Sequence, residues 1–429
     1  MNECTDQIMF SIFDMDRCEQ PMIDAFKYIR LLFFLPSIQA YPDRVHMIDQ
    51  IAQRVGKAVL LVGRHDMDPS KAGIEHMRVV EVRRRGKLDK LPLAASKMAM
   101  QLIRDENINV MHDTFGILSF LFLYRRRFPQ IIFVSSLYNL AEWELKHTLR
   151  PYCSLSNFIK FRNFRQYLKN VILQRAVCLL ADCVIVQAPG LEKRLIAQTK
   201  IPQERVAWIP NSVANWPGLS PWLDRQYSEK IRLLYVRGFS VTTGFDVLLS
   251  VLDLARSKGI PLQATAIGEY ASIDELYLRK RVRHLDLGDM LLLKLRVDHA
   301  KMLNYFDVSD WLFHVSELDG SPRIVLEALA HGLPVIGSNH PGITVLDPLR
   351  QFIAFAEQDN PKHILQIAMT RVIDPKGYQK RSQIGAAYVA EHFSSQAISQ
   401  RHIDLYAELL NRNNKGGAFT RGSRDYSYT

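Results

Sequence analysis

The stretch "SDWLFHVSELDGSPRIVLEALAHGLPVIGSNHPGI", Ser309 to Ile343, decides how this chain is read. Its apolar run "WLFHVS" has the length and composition of a buried strand, and "PVIGS" has the same character. Between them the chain turns through Asp319, Gly320, Ser321 and Pro322, then runs as an apolar helix to about Ala330, with Gly332 as its stop. Ser321 is a good N-cap, and Pro322 at the first helical position loses no needed hydrogen bond. The free N–H groups and dipole of that helix make a small anion site, in the crevice where open α/β sheets bind ligands. Asp319 stands just before the site and Glu327 follows in the second turn. Arg323 opposes the dipole there by about a few tenths of a kcal/mol, and is better tolerated with an anion present. Two plainer readings compete: Arg323 as the i,i+4 partner of Glu327, and Glu327 as an ordinary surface residue of the helix.

Working outward, short apolar runs alternate with amphipathic stretches almost from end to end. "IRLLFFL" (Ile29 to Leu35) reads as a strand. "DRVHMIDQIAQRVG" reads as a helix with Asp43 as N-cap and Gly56 as stop. "KAVLLVG", "VVEV", "INVMH", "IIFVSS" and "CVIVQA" continue as strands. The rhythm breaks over 211–230 at "NSVANWPGLSPWLDRQYSEK", rich in Pro, Ser, Asn and Trp, and then restarts with "IRLLYVRG", "LQATAIG" and "MLLLKLRV". The pattern predicts two doubly wound parallel sheets. The expected layout is an N-terminal extension (1–28), a first α/β domain (29–210), a linker (211–230), a second α/β domain (231–394), a closing amphipathic helix (395–412) and a disordered tail (413–429).

At 48% hydrophobic and 23% charged, the 429 residues suit an ordinary globular protein with ample core. A formal charge of +11 favours acidic partners such as phosphates or anionic lipid. No helix-turn-helix, RNP or zinc-finger pattern appears, so nucleic acid is not an expected partner. Five cysteines with no CxxC pair argue against a disulfide framework and a zinc site, and suit a reducing cytosol. The most apolar run, "ILSFLFLY" (Ile117 to Tyr124), falls far short of the roughly 20 residues a membrane span needs.

The 309–343 stretch resembles the signature of the retaining glycosyltransferases of family 4, which have the GT-B fold. In that family a carboxylate is followed after seven residues by Glu, then by Ala-Met-Ala-x-Gly-x-Pro-Val and a Gly-Gly turn. Asp319 takes the first acid position, Glu327 the second, and "EALAHGLPVIGS" and Gly342 continue the pattern. "ADCVIVQAPGLEKRL" with Asn211 in a Pro-Asn pair, "NVMHD" with His112, and "HFSSQAISQRHIDLYAELL" agree more loosely. The resemblance implies a GT-B architecture: two Rossmann-like domains facing a cleft, with a nucleotide-sugar bound by the second. It implies a sugar moved from that donor to a glycan or lipid-linked acceptor, with retention of configuration and without a metal or other cofactor. It assigns Asp319 and Arg237 to catalysis, and Gly238, Gly320, Ser321, Pro322, Arg323, Ile324 and Glu327 to the donor. His112 and Ser136 fall on the acceptor or sugar side.

The sequence departs from the family in the loop "YVRGFSVTTG". The family's Gly-Arg appears reversed, as Arg237-Gly238, and its Lys position is Thr243. Arg323 is the expected substitute for that cation. The strand "IIFVSS" ends in Ser135-Ser136 where His is common. A catalytically silent GT-B subunit, binding a glycan or an active partner, is therefore the second reading. Two basic stretches, Arg125 to Phe128 and Phe158 to Arg175, suit peripheral contact with anionic membrane from the cytoplasmic side, or solvated basic faces. "VRRRGKLDK" (Val82 to Lys90) reads as a charged loop.

Overall fold

The computed structural model describes residues 26–38, 42–63, 68, 72–82, 91–114, 128, 130–137, 157–213, 230–239, 243–269, 275–295, 297–298, 301–317 and 319–414. The expectations for the N-terminal extension up to 25, for "ILSFLFLY", for Arg125–Arg127, for 83–90, for most of the linker and for the tail from 415 lie outside these residues.

Two sheets organise the chain. The first has seven strands in the order β3-β2-β1-β4-β5-β6-β7, with β1 Arg30–Leu35, β2 Lys57–Val62, β3 Arg78–Glu81, β4 Val110–Asp113, β5 Ile132–Leu137, β6 Cys183–Val186 and β7 Val206–Trp208. The second has six in the order β10-β9-β8-β11-β12-β13, with β8 Ile231–Val236, β9 Leu262–Gly268, β10 Leu291–Leu295, β11 Trp311–His314, β12 Val335–Ser338 and β13 Ile353–Ala356. Within the second sheet every neighbouring pair is parallel. A parallel neighbour needs a crossover, and helices supply it. The described helices are α1 Pro42–Arg54, α2 Leu91–Asp105, α3 Asn157–Leu180, α4 Pro189–Thr199, α5 Phe245–Ser257, α6 Glu275–His284, α7 Met302–Asp307, α8 Arg323–Ala330, α9 Pro341–Thr344, α10 Pro361–Ile373, α11 Pro375–His392 and α12 Ser395–Asn414. None of them is long and apolar enough to cross a membrane.

The described residues group into two compact units. The first takes those up to Ser136, Leu180–Cys183 and those from Ser399 on; the second takes Leu137–Leu179 and Val184–Ile398. The closing helix α12 thus changes unit at Ser399. Its start is capped by Ser394, whose Oγ accepts the N–H of Ala397 at 3.2 Å.

Local chemistry explains where the helices stop. Gly332 has φ +71°, its N–H bonds to the Leu329 carbonyl at 2.9 Å, and Leu333 N–H bonds to Ala328 at 2.8 Å. That pair of bonds is a Schellman cap, which needs a left-handed residue and so favours glycine. Gly259 closes α5 in the same way, with φ +62°. Asp43 does not cap α1: the helix already starts at Pro42, where a proline costs no intrahelical bond.

The core of the second unit carries one buried ionic knot. Asp310, fully buried, precedes β11. It accepts the backbone N–H of Arg232 at 2.7 Å, both ends of the Arg232 guanidinium at 3.1 Å, and Arg371 Nε at 2.9 Å. Tyr378 donates its hydroxyl to the Asp310 carbonyl. Asp310→Ala would strand Arg371, whose side chain is 1% exposed. A loss of about 3–5 kcal/mol is expected, read as a lower denaturant midpoint for the second unit. A midpoint equal to the parent's would contradict the role of the knot.

Candidate functional site

In the second sheet, the strand order reverses between β8 and β11. Crossovers leave β8 toward β9 and leave β11 toward β12, so the loops beyond their carboxyl ends separate and leave a crevice. The loop after β8 brings Arg237 and Gly238; the loop after β11 brings Asp319 to Pro322. The reversal of the first sheet falls between β1 and β4, and His112 stands near the end of β4.

Asp319 is the centre of the second-unit cluster. Its Oδ2 receives Arg237 Nη1 at 3.0 Å and His314 Nε2 at 3.2 Å, and its Oδ1 accepts the Gly320 N–H at 2.9 Å. Arg237 Nη1 and His314 Nε2 lie 3.5 Å apart. Burial alone would push the Asp319 carboxyl up. The Arg237 charge and the His314 hydrogen bond outweigh it and hold it at about 2. The imidazole of His314 is displaced downward, chiefly by burial, against the pull of Asp319. A neutral ring can hold Asp319 only as the Nε2–H tautomer, so the carboxylate fixes the proton's place.

A second histidine stands behind the same loop. His340 caps α9 by accepting the Gly342 N–H on Nδ1 at 3.0 Å, and its Nε2 points at Ser316 Oγ, 3.5 Å away. Burial pushes its ring down to about 4. Ser338 anchors the start of the loop: its Oγ accepts the Ser316 N–H at 3.1 Å and donates to the Ser316 carbonyl at 2.6 Å. A Cβ on Gly342 would lie 2.0 Å from the Asp319 carbonyl oxygen and 2.7 Å from that of Gly320. Only glycine allows α9 so close to the Asp319 backbone.

The expected cap at Ser321 is corrected by the structure. Pro322 is the N-cap, with φ −69° and ψ 115°, α8 begins at Arg323, and no side chain caps it. Ser321 turns instead to Asn211, whose N–H reaches its Oγ at 3.2 Å and whose Nδ2 reaches its carbonyl at 2.6 Å. A proline cap supplies no side-chain acceptor, and the Val325 N–H turns back to the Pro322 carbonyl at 3.1 Å. The first turn holds no acidic residue, and Arg323 and Ile324, its first two residues, are half-buried. Glu327 is 5% exposed, which rules out the surface reading of that residue.

Thr243, at the family's lysine position, is not a loose replacement. It donates to the Gly238 carbonyl at 2.8 Å and receives the hydroxyl of buried Tyr235 at 2.7 Å. Gly244 beside it has φ +78°, and a Cβ there would meet the Val315 carbonyl oxygen at 1.6 Å. The loop is therefore cross-tied where the family is expected to extend a cation.

In the first unit His112 and Ser136 meet. His112 Nε2 lies 2.8 Å from Ser136 Oγ and its Nδ1 lies 2.7 Å from Tyr406 Oη of α12. The ring stacks on His402 at 5.8 Å and is fully enclosed, so burial drives its basicity well down. Both nitrogens are thus engaged inside the unit. Sequence reasoning did not single out His314, His340, Tyr235 or Asn211 for the places they hold. The one available signal was the histidine interrupting the apolar run "WLFHVS" just before the crevice.

Two buried histidines and one half-buried one make stability depend on acid. His112, His314 and His340 all bind protons more weakly folded than unfolded, where a histidine titrates near about 6.5. The unfolded chain therefore gains protons first as the pH falls, and stability drops from about pH 6.5 toward about 4. Asp319 acts below that range: its contribution is lost from about pH 4, where the unfolded carboxyl takes up its proton, down to about 2. Melting temperature is expected to be flat between pH 7 and 8 and to fall below 6.5. His340→Asn, which keeps an acceptor for Gly342 and removes a titrating ring, should flatten part of that fall. An unchanged slope would show that His340 does not contribute.

Comparison with known proteins gives the same architecture. Residues 224–347 match the family model described as glycosyl transferases group 1. No curated protein matches the chain significantly. Among solved structures, sucrose-phosphate synthase from Thermosynechococcus elongatus is similar with TM-score 0.65 and 14% identity, over 89% of this chain and 99% of that one. Anabaena HepE in complex with UDP and glucose is similar with TM-score 0.63 and 14% identity, over 89% and 100%. A glycosyltransferase from Rickettsia africae is similar with TM-score 0.62 and 15% identity, over 89% and 99%. The chain has the GT-B fold, and the stretch that carries Arg237 and Asp319 matches the glycosyl transferases group 1 model.

Proposed function

We propose that the protein transfers a sugar from a nucleotide-sugar donor to a glycan or lipid-linked acceptor, with retention of configuration and without a metal ion. The observation that carries this reading is the pairing of Arg237 with Asp319 across the strand-order reversal, beside a helix start that no side chain caps. In such a transfer the diphosphate leaves as an anion while the sugar gains positive charge. Preorganised donors and cations stabilise the first; a carboxylate near the second helps it. Arg237, Arg323 and the α8 amides take the diphosphate. Asp319 faces the sugar hydroxyls, with Gly238, Gly320, Ser321, Pro322 and Ile324 shaping the backbone around it. Glu327 takes the ribose, and His112 with Ser136 serves the acceptor or sugar side. The HepE structure holds UDP and glucose, which makes UDP-glucose the first donor to try. The enzyme works in the cytoplasm, where reduced cysteines such as buried Cys178 and Cys183 persist. Peripheral membrane contact falls to α3, which exposes Leu168, Ile172 and Leu179.

The test is a thermal-shift screen against UDP-, GDP-, ADP- and CMP-sugars, followed by transfer and donor-hydrolysis assays. A bound donor stabilises the folded state in proportion to the logarithm of its concentration over Kd. Asp319→Ala and Glu327→Ala are each expected to lower kcat/KM by about a hundredfold or more. Arg323→Ala should lower it well beyond tenfold; an unchanged value removes Arg323 from the site. The cross-tied Thr243 favours the second reading, a silent GT-B subunit that binds a glycan or an active partner. Donor binding with neither transfer nor hydrolysis would select it.

A further inference from the structure

We propose that His314 is a positioning residue, which holds the Asp319 carboxylate toward the sugar once the donor's diphosphate has drawn Arg237 away. The inference rests on the nucleotide-sugar reading of this site and adds a residue which that reading does not use.

Three donors fix the Asp319 carboxylate, and each comes from a different piece of chain. Arg237 reaches Oδ2 from the loop after β8, His314 reaches Oδ2 from the last residue of β11, and Gly320 reaches Oδ1 from within the loop itself. They are not equally permanent. The Arg237 side chain is 25% exposed, so an anion can compete for its guanidinium. The His314 side chain is 2% exposed, on a short strand paired with β8 on one side and β12 on the other, and does not follow a ligand. When a diphosphate takes the arginine, two donors remain, one on each carboxylate oxygen. The Gly320 N–H belongs to the residue next to Asp319 and moves with it. His314 is then the only fixed reference among the three for the direction of the carboxylate.

The same geometry gives a test of reach. A glutamine places its Nε2 near the Nε2 of histidine and can keep the bond to Oδ2. An asparagine places its amide nearer the Nδ1 position and falls about 2 Å short of a bond that spans 3.2 Å. Leucine fills the space with no donor. A purely structural role for a buried polar ring does not separate glutamine from asparagine in this way.

The experiment compares the wild type with His314→Gln, His314→Asn and His314→Leu, all checked for the parent's melting profile. Isothermal titration reads Kd for UDP-glucose and for UDP, or for the sugar nucleotide and parent nucleotide that the screen selects; steady-state kinetics reads kcat and KM. His314→Leu and His314→Asn should weaken the sugar nucleotide at least fivefold relative to the nucleotide and lower kcat by about twentyfold. The Kd for the nucleotide alone should stay within twofold. His314→Gln should recover both quantities to within about threefold of wild type. Equal behaviour of Gln and Asn overturns the proposal. So does parallel weakening of nucleotide and sugar nucleotide, which marks a role in loop stability only. Wild-type protein that binds no nucleotide at all overturns the parent reading and this one with it. Wild-type binding without any effect of His314→Leu overturns this one alone.

Discussion

β8 and β11 are bracketed by two arginine–carboxylate pairs, one at each end, and the contrast between those pairs organises the second unit. At the amino end Asp310 binds Arg232 and Arg371 with nothing exposed on the carboxylate. At the carboxyl end Asp319 binds Arg237 with 19% and 25% of the two side chains exposed. The inner pair has three sets of donors and no water to replace them, so removing one partner leaves a buried charge. The outer pair keeps part of both side chains exposed, so an incoming anion can compete with Asp319 for the guanidinium. One pair fixes the register of the two central strands. The other is available for exchange because that register is already fixed from below.

Gly332 and Gly342 were legible in the sequence because each answers a local constraint that a sequence records. A helix that must stop abruptly needs a left-handed residue, and Gly332 supplies it. A helix start that must pass 2.0 Å from where a Cβ would meet a carbonyl oxygen needs Gly342. The strands were legible for a related reason: buried parallel strands read as continuous apolar runs. Ser321 was misread because its hydroxyl has two possible acceptor roles. It can close its own helix, which is a local choice, or accept from Asn211, 110 positions away. Propensity sees only the first. His314 and His340 escaped for the same reason. Their meaning lies in Asp319, Ser316 and Gly342, which the fold brings to them and which spacing alone does not reveal.

The loop after β8 poses the sharpest question about chemistry. An enzyme that stabilises a departing diphosphate needs positive charge at its oxygens, and this loop supplies one guanidinium where two cations are expected. Thr243 spends its hydroxyl on Gly238 and Tyr235 and offers no charge at that point. The missing charge must then come from elsewhere, and α8 is the element that faces the same crevice.

Arg323 is the residue we propose for that charge, and the helix itself gives the reason. Helices ordinarily place carboxylates in the first turn, and α8 has none there; its first residue is an arginine and its cap is a proline with no side-chain acceptor. Each choice is slightly unfavourable for an isolated helix. Both become favourable together when an anion occupies the start of α8, because the amides, the dipole and the guanidinium then act on the same charge. A helix end built against local preference on two counts is the ground on which Arg323 is proposed for the donor's anion.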